Sequence, residues 1–263
     1  MRHSLAVFLL LTLVACSSDP AKEGENLTAD QLYAQSQESM QDKSYEKAIK
    51  QLETLQSRFP YGRYAQQAQM EIAYAYFKHS EPAPALGALD RFVKMYPNSS
   101  HLDYVLYLKG LINFNEDINT MAGTLFNQDP SERDPASLRE SFDAFKELVI
   151  RFPDSKYVSD ARIRMQYLLD TLANGDIHVA SYYLKRGAYV AAVNRAKNVL
   201  VNYPQTPQTR DALQIMVQAY DAMGMKDLSA DTKKILDRNV AKDGIKPIVR
   251  EMPSTTLWWK FWS

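Results

Sequence analysis

Apolar residues recur at helical spacing through most of this chain, and an aromatic–proline pair interrupts them at four places. The pairs are Phe59-Pro60, Tyr96-Pro97, Phe152-Pro153 and Tyr203-Pro204. Proline ends a helix because it has no N–H to donate, and the polar residues after each pair are typical of the next helix start. Counting back from each proline gives the period of about 34 residues that is typical of tetratricopeptide repeats. We therefore predict an all-α fold, a superhelix of about five helix–turn–helix repeats.

The first two repeats carry matching residues 37 positions apart. The first has Ala48, Leu52, Leu55 and Pro60, and the second has Ala85, Leu89, Phe92 and Pro97, preceded by Ile72, Ala73 and Tyr76. The small alanines allow the paired helices to approach closely, and the larger residues fill the space between repeats. Thr28 and Gln31 predict a capping box at the start of the first helix.

The third repeat is interrupted. Gly110 stands at the small position 37 residues after Ala73, but the second helix begins near Pro135, about 19 residues late. The insertion, residues 115–134, is polar with an apolar tip, and loops of this length are usually functional or disordered. Residues 28–153 are thus predicted to form repeats 1–3, and residues 154–240 to form repeats 4 and 5.

A further helix is predicted after Pro153. Its two halves, Tyr157 to Leu172 and Asp176 to Arg186, could be continuous, but Asn174-Gly175 between them favours a break.

The N-terminus is typical of a secretory signal, predicted to end at residue 15. An apolar run from Leu5 to Val14 follows Arg2, and it is shorter than the ~20 residues that a membrane span needs. The sequence Leu13-Val14-Ala15-Cys16 resembles the lipobox of bacterial lipoproteins, in which the cysteine is lipidated. The alternative is an ordinary signal with an incidental thiol, although an exported protein seldom keeps an unpaired cysteine. Residues 16–27 would then form an acylated tether, and Ser17 after the cysteine is typical of an outer-membrane destination.

Composition and motifs argue against several classes of function. Basic and acidic residues balance at 31 each, so there is no excess of positive charge for a nucleic acid. The four histidines lack the spacing of metal ligands, and neither a Gly-x-Ser-x-Gly elbow nor a Gly-rich phosphate loop is present. With Cys16 lipidated, no thiol is left for catalysis. We predict a protein that is not an enzyme and binds no metal or cofactor, apart from the covalent lipid.

One stripe of residues predicts a peptide-binding groove. The first helices of repeats 1–3 present apolar or aromatic side chains at positions that packing does not require, and such side chains suit an extended peptide with aromatic groups. The alternative is that the insertion 115–134 or the C-terminal tail covers this stripe. Its members are Tyr33, Met40, Met70, Tyr74, Phe77, Tyr104, Tyr107, Leu111 and Phe114.

Two further clusters lie towards the C-terminus. A basic one surrounds a turn at Gly187, and either a solvated face or a docking surface for an acidic partner would explain it. Its candidates are Arg186, Tyr189, Arg195 and Lys197, with Arg195 expected to project freely beside the core. The aromatic tail, residues 241–263, ends with Trp258, Trp259, Phe261 and Trp262. Docking onto the last helices, contact with a membrane interface and contact with a partner are all open for this tail.

Four stretches together resemble the BamD family, the tetratricopeptide lipoproteins of the outer-membrane β-barrel assembly machinery. They are "RFPYGRYAQQAQMEIAYAYFK", "DRFVKMYPNSSHLDYVLYLKGL", "RDP" at Arg133–Pro135 and "KRGAYVAAVNRAKNVLVNYPQTPQTRDAL". The resemblance covers roughly residues 1–240 and includes the lipobox and the interrupted third repeat.

The resemblance implies a scaffold lipoprotein that is anchored to the outer membrane by its lipid and faces the periplasm. It also implies docking to a POTRA domain of the barrel protein BamA through the C-terminal repeats, which favours Arg186, Tyr189, Arg195 and Lys197 as docking residues. Other lipoproteins of the machinery and unfolded outer-membrane proteins are further implied partners. The rival interpretation is a periplasmic repeat adaptor of peptidoglycan synthesis or remodelling.

Overall fold

The computed structural model describes residues 27–118 and 135–242. The ten α-helices in those ranges follow one another as five successive pairs, which confirms the predicted all-α repeat fold. The chain divides into two compact units, Met1–Tyr96 and Pro97–Ser263. The predicted boundary between repeats 3 and 4, after residue 153, falls inside the second unit.

The first unit consists of two helix pairs, and each helix packs against the next. The helices are α1 (Ala29–Gln41), α2 (Tyr45–Arg58), α3 (Ala65–Lys78) and α4 (Pro82–Met95). The capping box at Thr28 is present: the Thr28 N–H donates to Gln31 Oε1 at 2.9 Å, and the Gln31 N–H donates to Thr28 Oγ1 at 3.3 Å. The small and large residues that the repeat pattern predicted to pack together form the core of this unit. Those that are fully buried include Ala48, Leu52, Ala73, Ala85, Leu89 and Phe92.

The second unit contains three helix pairs around one continuous hydrophobic core. Its helices are α5 (Leu102–Ile118), α6 (Pro135–Arg151), α7 (Val158–Lys185), α8 (Tyr189–Asn202), α9 (Gln208–Ala222) and α10 (Lys226–Lys242). Consecutive helices pack together, and α7 also contacts α9. The late second helix of the third repeat begins at Pro135, as predicted.

The predicted break at Asn174-Gly175 is wrong, because α7 runs unbroken for 28 residues. A glycine inside a helix costs only about 1 kcal/mol relative to alanine. Ala173 and Ala180 are fully buried and Ile177 is nearly so, and these side chains join the core shared with α8 and α9. The burial of residues on both sides of Asn174-Gly175 therefore outweighs the preference of these two residues for a turn.

The turns inside four of the five helix pairs share a left-handed residue. Lys43, Ser80, Gly187 and Gly224 have φ values between 59° and 77°. At the last of them, the Gly224 N–H donates to the Asp221 carbonyl at 3.0 Å and the Met225 N–H donates to the Tyr220 carbonyl at 2.9 Å. This pair of bonds is a Schellman motif, which satisfies carbonyls that the end of a helix leaves unpaired. The same turn thus closes repeats in both units.

We expect Gly224→Ala to lower the free energy of unfolding by about 1 kcal/mol, because an L side chain is disfavoured at positive φ. A Cβ at this position meets no atom within 4 Å, so only the backbone conformation is penalised. Gly87→Ala is the matched control, since Gly87 lies inside α4 with its nearest neighbour, Arg91 Nη1, at 3.8 Å from the added Cβ. Gly87→Ala should raise the free energy of unfolding by about 0.5–1 kcal/mol. Urea denaturation measures the free energy of unfolding of both variants. Changes of the same sign would contradict the left-handed conformation of Gly224.

Candidate interaction surfaces

In the first unit, Tyr33 belongs to a hydrogen-bonded cluster between α1 and α3. Its ring stacks on Tyr64 with 4.2 Å between centroids, and its hydroxyl donates to the Glu71 carboxylate at 2.9 Å. Glu71 also accepts from the side-chain amides of Gln37 at 2.6 Å and Gln67 at 2.8 Å. Burial raises the pKa of the Glu71 carboxyl, although these three donors oppose the rise. The cluster is a polar bridge between two helices, in which Tyr33 already has its partners.

The other groove candidates of this unit divide into two groups. Met70 is 1% exposed and is part of the core. Met40, Tyr74 and Phe77 are partly buried, as is Tyr33. Burial also raises the pKa of the Tyr74 hydroxyl, and nearby Tyr45 adds to the rise. Four of the five candidates therefore retain some accessible surface, whereas Met70 packs inside.

In the second unit, all four groove candidates on α5 are buried, with Tyr104 the most exposed of them at 7%. Tyr107 stacks on Tyr157 at 4.6 Å between centroids, and its hydroxyl donates to Asp160 at 2.7 Å. Burial raises the pKa of Tyr157 to about 12. The expectation that packing does not require these residues is wrong for this unit. The residues concerned are Tyr104, Tyr107, Leu111 and Phe114.

Part of the cover comes from α7, whose N-cap is Tyr157 and whose first two turns carry Asp160 and Arg164. Arg164 is 4% exposed, and its Nε donates to Asp160 at 2.6 Å. Its guanidinium also lies 5.0 Å from the centre of the Phe114 ring, which gives the buried charge a cation–π contact. The spacing of these three residues at i, i+3 and i+7 was the signal in the sequence that one face of α7 packs against other helices.

Three of the four candidates of the basic cluster retain accessible surface at the α7–α8 turn and along α8, and only Arg195 is committed to a buried partner. Arg186 is exposed at the turn after α7, and its guanidinium lies 5.7 Å from the centre of the Tyr182 ring. Tyr189 is partly buried at the start of α8. Lys197 is exposed on an outer face of α8 together with two exposed valines, Val190 and Val201.

Arg195 lies elsewhere, because it pairs with a buried carboxylate. Its Nη1 donates to Asp176 Oδ1 at 2.9 Å, and the Asp176 side chain is 9% exposed. Asn198 donates to the second oxygen of the same carboxylate. The expectation that Arg195 projects freely is therefore wrong: half of its side chain is covered, and it neutralises a charge inside the α7–α8 contact.

Sequence reasoning missed the apolar members of this surface. Tyr182 is 56% exposed, Val190 63% and Val201 66%. The spacing of Val190, Lys197 and Val201 along α8 repeats at seven and four residues, which places them on one side of a helix. The spacing of these residues is present in the sequence, although it does not by itself show that the valines are exposed.

Several predicted features lie outside the described residues, namely the signal, Cys16, the tip of the insertion 115–134 and the aromatic end of the tail. Within the ranges that are described, no group of three or more His, Cys, Asp or Glu side chains could hold a metal ion. None of the helices described there is both long and apolar enough to cross a bilayer.

The sequence profile of the outer membrane lipoprotein family YfiO matches residues 25–236. The chain belongs to this family. Among curated relatives, the outer membrane protein assembly factor BamD of Neisseria meningitidis serogroup A is 41% identical over 98% of both chains. The Vibrio cholerae factor of the same name is 37% identical over 90% of this chain and 98% of its own.

A solved structure with a similar arrangement is a kinesin light chain from Podosopora anserina with TPR-like repeats. It is 15% identical, covers 80% of this chain and 93% of its own, and gives a TM-score of 0.33. The five helix pairs of this member of the YfiO family themselves define its fold class.

We expect Arg195→Glu to lower the free energy of unfolding by about 2 kcal/mol, because it sets a second carboxylate against buried Asp176. Lys197→Glu makes the same change of charge two residues away at an exposed position, and it should stay within about 0.5 kcal/mol of the parent. Urea denaturation of both variants measures the difference. Equal stability of the two would show that the Arg195–Asp176 pair contributes nothing to the α7–α8 contact.

Proposed function

We propose that this chain is a non-enzymatic scaffold in the assembly of outer-membrane β-barrel proteins. The observation that carries the proposal is its 41% identity, over 98% of both chains, to curated BamD assembly factors. A lipid on Cys16 anchors it to the outer membrane, and the helix pairs face the periplasm. The family description as an outer membrane lipoprotein supports this location.

Docking to a POTRA domain of BamA uses the surface around the α7–α8 turn. We define this docking surface by Tyr182, Arg186, Tyr189, Val190 and Lys197. Aromatic side chains and arginine are enriched at the centres of protein interfaces, where a few residues contribute most of the binding free energy. Exposed Tyr182 beneath the guanidinium of Arg186 provides both types of side chain in one place.

Recruitment of unfolded outer-membrane proteins uses the first unit. Partly buried Tyr33, Met40, Tyr74 and Phe77 offer apolar surface to a segment that carries aromatic side chains. The buried candidates Met70, Tyr104, Tyr107, Leu111 and Phe114 are left out of this proposal. The other lipoproteins of the machinery are further partners, to which no residues are assigned.

Depletion of the protein from the cell that makes it should reduce the amount of folded β-barrels in the outer membrane and induce the envelope stress response. The measurement is quantitative proteomics of the outer membrane, with inner-membrane proteins as the internal control. Normal barrel content in rounded or chained cells would contradict the proposal and favour the peptidoglycan adaptor.

The docking surface predicts that Arg186→Glu combined with Val190→Asp weakens binding to a purified BamA POTRA domain by about 30-fold, which corresponds to ~2 kcal/mol. Both residues are exposed, so the variant should fold normally. The matched control is Lys146→Glu combined with Ile150→Asp on α6, which has the same chemistry and spacing at exposed positions. Biolayer interferometry measures both, and equal affinities would refute the docking surface.

A further inference from the structure

The last described helix, α10, exposes large aliphatic side chains and buries small polar ones. Ser229 is 6% exposed and Thr232 is 7% exposed, whereas Leu228 is 49% exposed and Ile235 is 50% exposed. The hydroxyl of Thr232 is satisfied by the Leu228 carbonyl at 2.7 Å. A cluster of exposed apolar side chains often marks a surface that another element covers. Here two aliphatic side chains, Leu228 and Ile235, are half exposed to water.

The exposed apolar residues lie along one side of α10. Leu228 and Ile235 are seven residues apart, so they lie on the same side of α10, about 10 Å apart along its axis. Met225, in the turn before the helix, adds a third apolar side chain that is 45% exposed. We call Met225, Leu228 and Ile235 the α10 flank.

Within each unit, the second helix of a pair packs against the first helix of the next pair wherever the unit contains one. In the first unit α2 packs against both α1 and α3, and in the second unit α8 packs against both α7 and α9. The outer face of a terminal repeat is ordinarily polar, because no neighbour covers it. The α10 flank is instead apolar, as is the side of an inner helix that packs against the next helix.

Residues 243–263 follow α10 directly and can supply that neighbour. Leu228 lies ~21 Å back along the helix from Lys242, and an extended chain covers about 3.3 Å per residue. Met225, at the far end of the flank, lies ~26 Å back from Lys242, so every residue from about position 250 onwards can reach the whole flank. The segment ends with Leu257, Trp258, Trp259, Phe261 and Trp262, side chains that bury large areas when they pack.

We propose that the aromatic end of the chain, residues 257–262, docks on the α10 flank and caps the helix stack. A tethered segment is present at an effective concentration in the millimolar range, which favours it over a second copy of the protein in solution. The inference does not depend on the proposed function, because it concerns a contact within one chain.

Tryptophan fluorescence provides a direct test, since all three tryptophans of the protein lie in this segment. We compare the full chain, Leu228→Lys with Ile235→Lys, and the matched control Val190→Lys with Val201→Lys in the same detergent. Docking predicts that the first pair of substitutions raises the acrylamide quenching constant by about twofold or more, because solvent then reaches the indoles. The control should leave the constant unchanged.

Three results would overturn the proposal. If acrylamide quenches the indoles fully in the unmodified chain, residues 257–262 are not docked. Equal protection in all three proteins means that detergent, or another part of the protein, covers them. Protection that disappears on dilution of the unmodified chain identifies a second copy as the occupant.

A reciprocal measurement leaves α10 unaltered. Peroxide oxidises exposed methionines, and docking should slow the oxidation of Met225. Trp258→Ser with Trp259→Ser should speed that oxidation about twofold or more, because the flank is then open to solvent. Met95, which is 54% exposed in the first unit, serves as the internal control in the same mass spectrum. An unchanged rate at Met225 would contradict docking even if the lysine variants failed to fold.

Discussion

The close approach of neighbouring helices at small residues is the constraint on which the rest of this structure depends. Ala48, Ala73, Ala85, Ala192 and Ala196 are all fully buried. Gly110 is the extreme case, because a Cβ at that position would overlap the ring of Phe145, and its carbonyl accepts from Ser141 Oγ at 2.9 Å. A side chain there would separate α5 from α6 and expose the large residues that fill the space between them.

Polar links between helices accompany this close approach. Glu71 connects α1 with α3, Asp160 connects α5 with α7, and Asp176 connects α7 with α8. Each carboxylate accepts from two or more side chains, and for buried Asp176 this is the condition under which its charge is tolerated. These links favour one register of neighbouring helices over another. In the second unit they also occupy Tyr107 and Arg195, which the sequence pattern assigns to recognition.

The sequence predicted those features that depend on local rules. The proline of each aromatic–proline pair prevents the preceding helix from continuing, and the capping box needs only Thr28 and Gln31. The continuity of α7 was not predictable in this way, because burial on either side of Gly175 overrides the local preference. The burial of Tyr107 and the pairing of Arg195 depend on which helix covers which, and a repeat pattern does not specify this for a helix as long as α7. The surfaces were therefore predicted less well than the fold.

The pairing of Arg195 also limits how a partner can use this region. A partner that withdrew the guanidinium from Asp176 would leave a buried carboxylate with only Asn198 as a donor, at a cost of up to about 2 kcal/mol. A partner can share the exposed half of Arg195, but it cannot take its charge. Binding that leaves the α7–α8 contact intact must therefore rely mainly on side chains that the fold does not need. Tyr182, Arg186 and Val190 meet that condition, because they are exposed and lie next to the turn that Gly187 closes.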